Sequence, residues 1–109
     1  MTQFASNFLG TTPFSDTTAT IALAANTAIT YTVPGDNSMS YRAEFSWPYD
    51  SNVYVGYNVA ATTAVAGTVT STANVELRPD ARYVRGGDVL SFKSVGVVTA
   101  AGLRLLKLP

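Results

Sequence analysis

The chain has neither cysteine nor histidine, and charged residues make up only 13% of its 109 positions. Without cysteine there is no disulfide framework and no thiol nucleophile. A small domain of this kind must be held by its core or by association with other chains. Without histidine the commonest general base and the commonest transition-metal ligand are gone. A serine triad of the usual kind is therefore excluded, and zinc or iron would find no good ligand set. Formal net charge is zero, with seven basic and seven acidic side chains. Neither nucleic acid nor an anionic membrane is thus an expected partner. No apolar run approaches the roughly 20 residues of a membrane span. The opening stretch, "MTQFASNFLGTTPFSD", lacks the basic and apolar regions of a secretory signal, so synthesis in the cytoplasm is expected.

What remains is a chain of 47% hydrophobic residues whose soluble character rests on threonine and serine more than on charge. Low charge favours association, and a partner-covered surface and a Thr/Ser-rich free one are both consistent with it. The length fits one domain with one modest core. Residues 1–16 stand apart from the rest. They carry Phe4, Phe8 and Phe14, interrupted by Gly10 and Pro13, and show no sustained helical period. An arm bearing exposed rings docks on its own domain or on a neighbour. The division expected is an N-terminal arm over 1–16 and a folded domain over 17–109.

From residue 18 the hydrophobic period becomes two. In "MSYRAEFSW", Met39, Tyr41, Ala43, Phe45 and Trp47 form one face, and Ser40, Arg42, Glu44 and Ser46 form the other. "AITYTVP" and "VYVGYNV" alternate in the same way, with Gly56 marking a bulge or a close backbone approach. "VELRP", "ARYV" and "VLSFKS" read as short strands. The stretch Ala60–Asn74 is either a weak strand around Val65–Val69 or a long loop. Near the C-terminus, Gly102 and the alternation of Leu103, Arg104 and Leu105 favour a strand over a helix. The pattern predicts an all-β chain of about eight short strands, an antiparallel β-sandwich, with the jelly-roll variant included.

The densest charge lies in "RPDARYVRGGDVLSF", residues 78–92. Pro79-Asp80 and Gly86-Gly87-Asp88 are turn signals. Arg82 and Arg85 are placed to pair with Asp80, Asp88 or Glu76. Two readings apply: punctuation between strands, or a rigid edge on which Arg78, Arg82 and Arg85 form a partner-binding patch. "RGGD" lacks the spacing and the following helix of a phosphate loop. Carboxylate chemistry would have to use Glu44, Glu76, Asp80 or Asp88, but turn aspartates ordinarily cap backbone amides. The alternating oxygen ligands of a calcium loop are absent. No cofactor, no metal and no enzymatic activity are expected.

The order "IALAANTAITYTVPGD", "YRAEFSWPYDSNVYVGYN", "ELRPDARYV", "GGDVLSF" and a closing apolar strand resembles the small all-β virion proteins of tailed bacteriophages, head decoration (cement) proteins in particular. The resemblance lies in order and texture across residues 18–109. It implies a non-enzymatic homotrimer on the outside of the capsid, made in the host cytoplasm, that binds the major capsid protein and staples its subunits. Phe4, Phe8 and Phe14 of the arm are the anchors this role would use. Alternatives are another virion component, of tail or fibre, and a carbohydrate-binding module with Trp47, Tyr49, Tyr54 and Tyr57 as stacking platforms.

Overall fold

The computed structural model describes residues 16–69 and 71–109. Among them are eight strands and no helix: β1 (Thr17–Leu23), β2 (Ile29–Thr32), β3 (Ser40–Ser46), β4 (Val53–Tyr57), β5 (Val75–Leu77), β6 (Ala81–Arg85), β7 (Val89–Ser94) and β8 (Val98–Lys107). They form two four-stranded antiparallel sheets, of order β1-β8-β3-β6 and β2-β7-β4-β5. The fold is an all-β sandwich.

The pairing follows one rule. β1 pairs with β8, β2 with β7, β3 with β6 and β4 with β5. The two halves of the chain thus run antiparallel as one long hairpin, closed by the β4–β5 connection. Winding that hairpin brings β3 onto β8 and β4 onto β7, which completes the two sheets. Every connection except β4–β5 passes from one sheet to the other.

Period-two patterning fills the space between the sheets. Tyr41, Ala43 and Phe45 of β3 and Leu103 and Leu105 of β8 point inward from the first sheet. Val53 and Val55 of β4 and Leu90 and Phe92 of β7 meet them from the second. Phe92 is completely buried and meets Phe45 edge-on, with ring centroids 6.4 Å apart. Trp47 continues the inward row of β3 and stacks on Phe45 at 5.4 Å. Its indole N–H donates to the Pro79 carbonyl at 2.8 Å, which satisfies the one polar atom the ring carries inward.

The C-terminal stretch is a strand throughout, because alternate residues of β8 are needed in the core. Among the described residues of 60–74 there is no strand: the Val65–Val69 alternative does not occur, and Val59 lies beyond the end of β4. Small uncharged side chains there give little inward-facing apolar area to pay for strand order. The segment instead lies back on the outer face of the second sheet. The Ala61 amide donates to the Ser91 hydroxyl at 3.1 Å. Gly56 is the reason the approach is possible. A Cβ at that position would stand 2.3 Å from the Val59 carbonyl oxygen and 3.1 Å from the Ala61 nitrogen. Of the two sequence readings of Gly56, the close backbone approach is the one observed.

Gly56→Ala is therefore expected to lower stability by about 1–3 kcal/mol, since backbone rather than a side-chain tip must move. Urea midpoints measure this, and amide exchange at Ala61 should quicken in parallel. A variant as stable as the parent would mean that the loop does not rest on the sheet.

Candidate partner-binding site

The three arginines of residues 78–85 do not form one patch. Arg78 follows β5, where the chain crosses to the first sheet, and it adopts a left-handed φ of 49°. Four other non-glycine residues share that region, but they are Asn26, Asp50, Asn58 and Asn74, which tolerate it well. For an arginine it is strained. The guanidinium holds the turn in place. It donates to the Pro48 carbonyl at 3.2 Å, to the Ser51 hydroxyl at 3.1 Å and to the Ser51 carbonyl. Its half-buried position and these bonds make Arg78 a clamp between the β3–β4 and β5–β6 loops.

Arg82 and Arg85 lie on β6, an edge strand, but on opposite faces. Arg82 pairs in register with Ala43, on the inward-facing side at the open margin. It reaches across to Glu76 of β5, the edge strand of the other sheet, with Nε donating at 3.1 Å and Nη2 to the second oxygen. This ion pair closes the flank between the sheets. Both partners are half-exposed, so it is worth about 0–1 kcal/mol. Arg85 pairs in register with Ser40 and points outward. Phe4, Phe8 and Phe14 lie outside the described residues, and so does the arm to which they belong.

The outward face of the first sheet gathers the charge instead. Glu44 of β3 accepts from Arg42 Nε at 2.7 Å and from Arg104 Nε of β8 at 2.7 Å. Hydrogen bonds from Arg42 and then Arg104 hold the Glu44 carboxyl below its ordinary range. Arg104 is 60 residues from Glu44. The alternation on β3 already put Arg42 and Glu44 on one face, but no sequence signal brought Arg104 beside them; that needed the β3–β8 pairing. An open groove of about 640 Å³ runs along this face, lined by Thr18, Thr20, Glu44, Ser46, Asp80 and Arg104.

The remaining carboxylates have structural partners or sit at turns. Asp88 is the organiser of the β6–β7 turn. It accepts from the Arg85 amide at 2.8 Å, the Tyr57 hydroxyl at 2.8 Å and the Asn58 side-chain amide at 3.3 Å. Burial pushes its carboxyl upward, but these donors, the Arg85 amide first, outweigh burial and leave it below the usual range. The acceptor bond raises the Tyr57 hydroxyl in turn. The two glycines before Asp88 have different reasons. Gly87 takes a φ of 90°, whereas Gly86 makes room, since a Cβ there would stand 2.3 Å from the Asp36 carbonyl oxygen. Among the described residues no three acidic groups come together as a metal site.

Because the folded Asp88 pKa lies below the unfolded value of about 3.9, its contribution is complete above that value. It disappears as pH falls through the folded pKa. Asp88→Asn should cost about 1 kcal/mol near pH 7 and flatten the acid side of the stability profile. Parent and variant urea midpoints should draw together as pH falls through the folded Asp88 pKa. An unchanged acid slope would remove Asp88 from this role. No protein-family model, no curated protein and no solved structure matches the chain.

Proposed function

We propose that the chain is a non-enzymatic virion structural protein. In this reading it binds the outside of a bacteriophage capsid as a homotrimer and stabilises contacts between major capsid protein subunits. The observation that carries the reading is the winding of one long hairpin into sheets of order β1-β8-β3-β6 and β2-β7-β4-β5. We read that order as the jelly-roll variant of the sandwich, and jelly rolls recur in viral capsid domains. Fold alone does not fix function. The reading therefore rests equally on the resemblance in order and texture across residues 18–109. The engaged carboxylates are consistent with it, since Glu44, Glu76 and Asp88 are each held in place by donors of the chain itself.

The aromatic residues give the carbohydrate alternative little support. Trp47 is half-buried against the core, stacked on Phe45, and Tyr57 bonds Asp88. Tyr49 and Tyr83 are exposed, but one lies in the β3–β4 loop and the other on the outward side of β6, so they offer no shared platform.

The test uses heads of the phage that encodes the chain, prepared without it. Added protein should bind the heads saturably, and bound heads should release their DNA at a higher temperature than bare ones. Recovery of the chain in purified tails, or no binding to heads, would overturn the reading.

A further inference from the structure

The flank where β5 and β6 face one another departs from the alternation that fills the rest of the core. Register sets Glu76 of β5 beside Val55 of β4, and Arg82 of β6 beside Ala43 of β3. Val55 and Ala43 are buried core residues, so both charged side chains occupy inward-facing positions. β5 has only three residues, and the other two, Val75 and Leu77, lie on the outward register. The sandwich is therefore short of apolar side chains at this margin.

The shortfall leaves a pocket of about 170 Å³ between the sheets. Phe45 of β3 and Val84 of β6 wall it from the first sheet, and Val55 of β4 and Leu90 of β7 from the second. All four are buried. The Tyr57 ring and Pro79 complete the wall, and the half-exposed Glu76 and Arg82 stand at the mouth. Inward-pointing charge protects an edge strand, and this pair does so here. Edge protection alone needs no empty space behind it. Protein interiors are close-packed, with few voids larger than a water molecule, whose share of liquid volume is about 30 Å³. An apolar space of about 150 Å³ lined by aliphatic and phenyl side chains stays dry and takes up benzene.

Charge narrows the occupant further. Arg82 donates to both carboxylate oxygens of Glu76, so the two charges at the mouth neutralise one another. The Tyr57 hydroxyl is committed to Asp88, and the Pro79 carbonyl accepts the Trp47 N–H. An ion entering the pocket would lose its hydration against apolar side chains or would have to break the Glu76–Arg82 pair. A neutral ring loses nothing of the kind, and it meets the aromatic rings of Phe45 and Tyr57. We propose that the pocket between β5 and β6 is a binding site for a small uncharged aromatic molecule, one ring in size, held by apolar burial. This site goes beyond the virion reading and does not depend on it.

Benzene is the probe, with benzoate and benzylammonium as its charged counterparts. At a few times its dissociation constant, benzene should raise the thermal midpoint of the parent by about 2–5 °C. It should also move the methyl NMR signals of Val55, Val84 and Leu90 saturably. Those of Val95 and Val97, exposed in the β7–β8 turn and outside the pocket, should stay in place. The two ions should bind at least about tenfold more weakly, because each must be desolvated without a partner. Val84→Phe places a ring of the chain's own in the pocket and should abolish both benzene responses. Val84→Met takes its place if circular dichroism shows that the β-sheet is lost. Absence of a saturable shift at the three pocket residues overturns the proposal, and so does undiminished benzene binding by the filled variant. Benzoate or benzylammonium binding as tightly as benzene overturns it too, since the Glu76–Arg82 pair would then be reading charge.

Discussion

The contact between Phe92 and Phe45 is the point on which the sandwich depends. Phe92 belongs to β7, a central strand of one sheet, and Phe45 to β3, a central strand of the other. Each ring fills the space the facing sheet leaves open. Trp47 extends the packing past the end of β3, and its N–H ties that end to Pro79, where the chain enters β6. Arg78, one residue earlier, fixes the same crossing from the other side through Pro48 and Ser51. A core of this size has no covalent support, so adjacent clamps at a sheet crossing take the place that a disulfide would have in a secreted domain of similar length.

Alternation made the strands legible. β3 and β7 declared their inward residues, Tyr41, Ala43, Phe45, Leu90 and Phe92, through strict period two. Gly56 announced a bulge or a close approach, and Trp47 fell on the inward row of β3. What stayed hidden depends on partners distant in sequence. Ser91 lies on the outward register of β7 yet is buried, because the β4–β5 loop folds over it. Arg104 meets Glu44 only through the pairing of β3 with β8. Arg78 resembled Arg82 and Arg85 in the sequence, but a left-handed backbone angle turns its side chain into the loops. Local residue type does not reveal a backbone angle that tertiary bonds impose.

The candidate surfaces show the same division. The arginine cluster in residues 78–85 drew notice because charge is scarce elsewhere, and the fold distributes its members to a clamp, an edge bridge and an outward face.

The hairpin pairing also orders events during synthesis. β4 can meet β5 as soon as the middle of the chain is made, and β3 can meet β6 shortly afterwards. β1 must wait for β8, whose last residue is Lys107 of 109. Closing the most distant pair carries the largest loop entropy and comes last. The strand with no charge to deter wrong partners is thus the one left longest without its right one. On a polysome, nascent chains emerge in close file, and each unpaired β1 would have other copies of itself as its nearest neighbours.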